Sequence, residues 1–528
     1  MISLGRAPCD EGVVRATPDT LGCAEQAKPW VLSATILGSS MAFIDGSVVN
    51  VALPAIQADL AASLRGVQWV VNAYMLMLGA LVLVGGSTGD RFGRRRVFAL
   101  GVVIFTAASV ACGLAPTITV LVAARIVQGV GGALLVPSSL AIISASFGKA
   151  ERGKAIGTWA GFSALTTAFG PVLGGWLVDA LSWRVIFFIN LPVALIVLGI
   201  TFWRVPGRRD EQNRAPVDWR GGLLATLGLG GLVYGLTAAS DTAWADPALL
   251  GPLLAGVLVL AVFLLAEGHT ASPMMPLGLF RSRTFAGANA MTLLLYFALG
   301  GALFFLPFNL MGVQGYSATL AGAAFLPFTL IMGGLSRWSG SLIDRYGART
   351  PLTVGPVIAA AGFALFTLPG TGGSYWTTFF PAMTVLGLGM AVSVAPLTTT
   401  VMGAVSDRHA GAASGINNAV SRIAGMLAVA LLGAIAVGMF GSALDQRMAD
   451  LRVPAEVRRA LENEVPKLAE AAVPPQVQGA KRQVLEQALN ESFVRSFRVV
   501  MLIAAGLALV GALCAGLTIK GLHGQRRD

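Results

Sequence analysis

The feature that most constrains this chain is the recurrence of apolar runs about twenty residues long, each the length needed to cross the hydrocarbon core of a bilayer as a helix. Such runs fall at roughly 30–54, 68–88, 97–115, 119–146, 155–180, 185–204, 221–240, 248–266, 285–311, 317–338, 351–369, 377–402, 411–439 and 498–519. Fourteen spans are therefore expected, and an all-α polytopic membrane protein with them. A strand exposed to lipid cannot satisfy its own backbone groups, and the alternating pattern of a membrane barrel is absent. Composition agrees: charged residues make up 12% of the chain, about half the share in a soluble domain. The 65 glycines suit helices that must approach closely in lipid.

The net charge of +11 would suit a nucleic-acid partner if the charges were clustered on a surface. They instead occupy short loops between spans, which excludes that reading in favour of topology. Arg91, Arg94, Arg95 and Arg96 follow span 2, and Lys149, Arg152 and Lys154 follow span 4. Arg204, Arg208, Arg209 and Arg214 follow span 6, and Arg345 and Arg349 follow span 10. The loops Ala115–Thr119, Ser240–Ala248 and Pro369–Trp376 carry no Lys or Arg. Positive loops stay inside, so both termini are expected in the cytoplasm and the protein in the plasma (inner) membrane. The first 29 residues are polar and of mixed charge, unlike a cleavable leader, so the run from Trp30 reads as a retained first span. Cys9, Cys23, Cys112 and Cys514 lie far apart, and His269, His409 and His523 sit near loops or the tail. Neither set resembles a metal site or a disulfide framework, and no cofactor is expected.

Three landmarks return at nearly one offset. Gly86–Arg96 (GSTGDRFGRRR) is echoed by Gly340–Arg349 (GSLIDRYGAR), 254 residues on. Gly129–Pro137 (GVGGALLVP) is echoed more loosely by Gly387–Pro396 (GLGMAVSVAP), 258 on, and Arg152 by Arg408, 256 on. A duplication follows, of six spans per half, with spans 7 and 8 inserted between the copies. The expected organisation is a tail at 1–29, a first six-helix bundle at 30–204, a linker with two inserted helices at 205–284, a second bundle at 285–519, and a tail at 520–528. Within the second bundle, 440–497 is expected to form an external helical hairpin. Its apolar residues Leu451, Val457, Leu461, Val465 and Leu468 recur at helical spacing, and a second helical stretch is expected over about 476–492.

Four motifs carry chemistry. Phe43–Ile56 (FIDGSVVNVALPAI) sets Asp45 near the middle of an apolar span, where burial disfavours the charged form of a carboxyl and suits it to loading and releasing a proton. In Gly86–Arg96, Gly86 and Gly93 permit a tight turn, while Asp90, Arg91 and Arg94 supply charges for a latch, a pattern repeated by Asp344 and Arg345. Arg125–Ala133 (RIVQGVGGA) places Arg125 deep in span 4, where a cation is costly unless paired. Gly170–Gly175 (GPVLGG) loosens span 5 at Pro171 and leaves room at Gly170, Gly174 and Gly175 for a close neighbour, with Gly157 and Gly161 earlier in the span. Weaker candidates for lining a cavity are Asn72, Tyr74, Asn289, Asn417, Asn418 and Arg422; each alone is as compatible with an interhelical hydrogen bond.

Jointly these motifs resemble the major facilitator superfamily, and within it the drug:proton antiporter family with fourteen spans, over nearly everything from Trp30 to Lys520. The resemblance implies two six-helix bundles plus two inserted helices, working by alternating access as a single-chain unit on a small molecule and protons. It implies export of small lipophilic or cationic compounds, Asp45 and Arg125 as the proton-coupling pair, and Gly170–Gly175 as the antiporter motif. The family pattern is incomplete at Thr166, where a further glycine is usual. At Met311 a usual polar residue is replaced, which makes any substrate contact there apolar and adaptable. A dedicated exporter or an uptake symporter of one metabolite is the alternative within transport; a membrane-embedded enzyme or a receptor is the alternative outside it. No nucleotide-binding Gly-Lys-Ser/Thr run is present, so the expected energy source is an ion gradient.

Overall fold

The computed structural model describes residues 27–205, 217–239, 246–270, 273–406 and 409–519. Arg208, Arg209, Arg214, Arg408, His523, Cys9, Cys23 and nearly all of both tails lie outside the described residues. Among the described residues the regular structure is helical, and thirteen helices are long and apolar enough to cross a membrane.

The first copy comprises α1 (Lys28–Asp59), α2 (Leu64–Phe92), α3 (Arg94–Gly113), α4 (Ile118–Ser146), α5 (Lys149–Ala180) and α6 (Val185–Arg204). The insertion supplies α7 (Trp219–Ala238) and α8 (Pro247–His269). The second copy comprises α9 (Arg283–Phe308), α10 (Ala318–Ala323 and Leu326–Tyr346), α11 (Arg349–Leu365), α12 (Phe379–Gly403), α13 (Ala410–Asp450) and α14 (Ala480–Thr518). At 17 residues α11 is the fourteenth apolar helix but spans only about 26 Å, short of a core of about 30 Å. The expected span 351–369 ends early because Phe366–Leu368 turn back on Phe363–Leu365. Helix starts follow local chemistry: Ser63, Thr117, Ser282 and Ser317 each accept a hydrogen bond from the first-turn N–H of α2, α4, α9 and α10.

Packing repeats as the sequence does. α2 and α3 lie against α4 as α10 and α11 lie against α12, and α1 lies against α5 as α9 lies against α13. The helices meet at backbone distance where side chains vanish: a Cβ at Gly85 would stand 1.9 Å from the Ala133 carbonyl oxygen, and one at Gly389 2.3 Å from Ala359 N. The halves join along α2–α13 and α5–α10. The repeat carries α2 onto α10 and α13 onto α5, so each seam is the image of the other. α7 and α8 pack on each other outside this arrangement, against α2 and α13.

The two ends of the bundle differ. At one, called here the basic end, lie the Gly86–Arg96 loop, its copy and the start of α5. The opposite, hairpin end is built by α13 and α14 continuing past the bundle to Asp450 and back from Ala480, with a short helix Ala455–Glu462 and a 3-10 turn Val465–Glu470 between them. The second arm is thus an unbroken extension of α14, not a separate helix over 476–492. Leu461 and Leu468 are buried, Val457 and Val465 are half-buried, and Leu451 is exposed. This segment touches the first copy too, where Gln57 of α1 donates to the Lys467 carbonyl at 3.2 Å.

Candidate functional site

Asp45 sits on α1 and Arg125 on α4; both are almost sealed from solvent, at 2% and 1% exposure. Arg125 Nη1 donates to Asp45 Oδ2 at 2.5 Å and to Gln128 Oε1 at 2.7 Å, and its Nε donates to the Val70 carbonyl at 3.0 Å. Gln128 Nε2 then donates to Asp45 Oδ1 at 2.8 Å, so both carboxylate oxygens are occupied. The guanidinium stacks over the Tyr74 ring, 4.2 Å from its centroid, and the Tyr74 hydroxyl donates to the Ala42 carbonyl at 3.2 Å. Tyr74, expected as a cavity residue, is instead part of this cluster and is buried. A buried ion pair survives only when its remaining hydrogen bonds are made, and removing one partner costs about 3–5 kcal/mol. The arrangement also sets a chemical choice. A proton on Asp45 cancels the negative charge that pairs with Arg125, so protonation turns a charge-assisted pair into a weaker neutral one. Gln128 went unremarked in the sequence; its signal was a polar side chain one helical turn from Arg125 in an apolar span.

The Gly170–Gly175 segment forms the α5 face of a seam at the hairpin end. A Cβ at Gly170 would stand 1.9 Å from Ser47 Oγ, and one at Gly174 2.8 Å from Val48 Cγ1, so α1 lies directly on it. A Cβ at Gly175 would stand 2.1 Å from the Ala318 carbonyl oxygen, and one at Gly322 2.0 Å from the Pro171 carbonyl oxygen. The halves therefore touch backbone to backbone between α5 and α10. Asp179, one turn on, accepts from Ala318 N at 3.1 Å, Thr319 N at 2.7 Å and Thr319 Oγ1 at 2.5 Å. A carboxylate from one half thus caps a helix of the other, where the N-terminal amides favour negative charge. Gly322 and Asp179 were not singled out in the sequence; a lone carboxylate closing span 5 was the available signal. Gly157 and Gly161, nearer the basic end of α5, have nothing within 4 Å of a Cβ position, and nor do Gly333, Gly334 and Gly340 on α10. The α5–α10 seam is closed at the hairpin end and parted at the basic end.

At the basic end Gly93 takes φ of 100°, a conformation for glycine, and ends α2 so that α3 starts at once. Arg94 Nε donates to Asp90 Oδ1 at 2.9 Å and Nη1 to the Ala141 carbonyl at 3.1 Å, which ties the loop to α4 within the same half. A Cβ at Gly86 would be 3.7 Å from Pro137, ordinary contact, so the tightest approach is at its neighbour Gly85. Arg91, Asp344 and Arg345 are exposed.

The weak candidates divide. Asn417 Nδ2 donates to Thr292 Oγ1 at 2.7 Å and Asn289 Oδ1 at 3.2 Å, a clasp between α13 and α9. Met311 is half-buried in a π turn, Asn309–Val313, that extends α9. Asn72 is fully buried with neither amide atom hydrogen-bonded. Asn418 is exposed and accepts from Arg422 Nε at 3.1 Å.

Residues 35–429 match the family description Major Facilitator Superfamily. The chain is 34% identical over 509 residues to the tetracenomycin C resistance and export protein of Streptomyces glaucescens, covering 95% of this chain and 94% of that one. It is 35% identical over 487 residues to the multidrug resistance protein Stp of Mycobacterium tuberculosis (91% and 90%), and 38% identical over 413 residues to the puromycin resistance protein of Streptomyces alboniger (78% and 82%). Among solved structures, a bacterial homologue of the human lysosomal transporter Spinster shares the fold, with a TM-score of 0.64 at 18% identity over 93% of this chain and 98% of that one. With its duplicated halves and its apolar helices, the chain belongs to the major facilitator superfamily, as a multi-pass protein of the bacterial plasma membrane.

Proposed function

We propose that this protein is a proton-coupled exporter of small lipophilic compounds that works by alternating access between its two halves. The observation that carries the reading is the enclosed Asp45–Arg125–Gln128 cluster, because a proton that cancels the charge of a buried, paired carboxylate weakens the pairing and so favours a different packing. Near full-length similarity to proteins named for antibiotic resistance and export supports the direction. In this reading the basic end and both termini face the cytoplasm, and α11 completes fourteen crossings. The form described above is then open to the cytoplasm and closed outside by the α5–α10 seam. Gly170, Pro171, Gly174 and Gly175 serve the closed outer seam, while Gly157 and Gly161 leave the room for α10 to approach when the inner end closes. Asp90, Arg91 and Arg94, with Asp344 and Arg345 in the copy, act at that inner closure. In this form the Asp90–Arg94 bond stays within one half.

Purified protein in proteoliposomes with an imposed pH gradient tests the reading. Asp45→Asn should fold and insert but lose uphill, gradient-driven transport, while downhill exchange persists. Undiminished uphill export by that variant refutes the role of Asp45, and movement of substrate in the direction of the proton flow refutes antiport.

A further inference from the structure

We infer that Arg422 of α13 forms a substrate-binding position between the halves that selects compounds carrying an acidic group, ionised near neutral pH, on an otherwise lipophilic body. The inference rests on the export reading and names its substrate class. Successive residues of an α-helix are about 100° apart, so neighbours assign the faces of α13. Ile423 and Leu427 pack with α7 and α8 on one side. Asn417 clasps α9, a Cβ at Gly300 of α9 meets Gly425, and a Cβ at Gly415 meets Leu83 of α2. Asn418 and Arg422 point into the sector between the α9 and α2 faces, away from the inserted helices and so towards the space between the halves. There Asn418 is exposed and Arg422 partly so, which makes that space open to solvent. Arg422 Cβ lies 3.4 Å from a Cβ position at Gly79 of α2, in the opposite half.

A guanidinium eleven residues beyond the basic-end start of α13's apolar run at 411 is costly without a counter-charge. The carboxylate nearest in role, Asp45, is enclosed and bonded to Arg125 and Gln128. Arg422 Nε has only the neutral Asn418 oxygen, and no described carboxylate forms an ion pair with it. The site thus carries one positive charge whose planar fork matches a carboxylate or phenolate. Lipophilic cations, admitted by the sequence alone, are repelled by it. A proton on Asp45 would add positive charge nearby and hold an acid more tightly, so the two ligands do not displace one another directly; exchange must arise from the states each favours.

The test measures binding to the purified protein in nanodiscs, using three probes with one polycyclic aromatic body: a carboxylate, its methyl ester and a quaternary ammonium. The parent should bind the carboxylate best. Arg422→Gln should weaken the carboxylate about 10- to 100-fold, as expected for loss of charge-assisted hydrogen bonds, and leave the ester within about threefold. Arg422→Lys, which keeps the charge and loses the fork, should fall between them. Equal loss for all three probes assigns Arg422 a structural role and overturns the inference, as does a parent that prefers the ammonium. If Arg422→Gln does not fold, the Lys variant decides: retained preference for the acid over the ammonium supports the site, and its absence overturns it. Transport in proteoliposomes is scored separately. A parent that binds the carboxylate but moves none of the probes overturns the export reading while the binding position stands.

Discussion

Asp179→Ala removes a contact that exists only while the hairpin end is closed, and its cost can be worked from the seam. Three donors on the first turn of α10 lose their acceptor: Ala318 N at 3.1 Å, Thr319 N at 2.7 Å and Thr319 Oγ1 at 2.5 Å. Hydrogen bonds to a charged group contribute about 1.5–3 kcal/mol each when buried, but Asp179 is exposed, so water replaces much of this. Loss of a helix cap, about 0.5–2 kcal/mol, is the better guide. Taking about 1–2 kcal/mol for the whole contact, the ratio of outward-closed to outward-open protein should fall about 5- to 30-fold. Spin labels at cysteines replacing Leu181 and Leu320, both exposed and on opposite sides of the seam, would report the two populations as two distances. Asp179→Asn, which keeps one acceptor oxygen, should give a smaller shift. Asp59→Ala is the control: it breaks a bond to Arg184, 2.6 Å long, that also lies at the hairpin end but within one half. An unchanged distance distribution in Asp179→Ala, or an equal shift in the control, would refute the idea that this carboxylate holds the halves together.

Two further substitutions probe the seams. Gly175→Ala places a Cβ 2.1 Å from the Ala318 carbonyl oxygen, so α5 and α10 must separate at a cost of about 1–3 kcal/mol; the same labels should report an opened hairpin end, and a distance distribution that remains that of the closed end would contradict the packing. Asn72→Leu replaces a buried amide with no hydrogen-bond partner by an apolar group of similar size. It should raise the melting temperature of the form described here, by the equivalent of about 1–3 kcal/mol, and slow turnover; a lower melting temperature would mean that the amide is satisfied in this form.

Much of the fold was legible because lipid leaves so few options. Apolar runs of one length, with positive charge after every second one, specify helices and their alternation, and the echo of Gly86–Arg96 in Gly340–Arg349 specified two like halves with spans 7 and 8 between them. Asp45 and Arg125 stood out because ionised groups are rare in apolar spans. Gln128 did not, since an uncharged amide in a membrane helix has many ordinary uses. Nor did Asp179 and Gly322, whose importance lies in what faces them 139 to 151 positions away in the chain. Tyr74 and Arg422 looked alike as polar residues within spans, yet one is closed beneath a guanidinium and the other looks into the space between the halves.

What the sequence determined by itself is local or additive: which segments are apolar enough to enter the membrane, that they are helical, and that the chain is duplicated, while the ends of α11, α13 and α14 depended on tertiary packing. Tertiary structure alone decided which glycines are contacts and which are gaps, that the halves touch through α5–α10 at one end and part at the other, and which carboxylate is already paired. The reason is physical. Transfer of a segment into lipid depends on that segment's own composition, whereas a seam or an ion pair depends on distances of a few ångströms between residues over a hundred positions apart. Those distances are set by the packing of all the helices together.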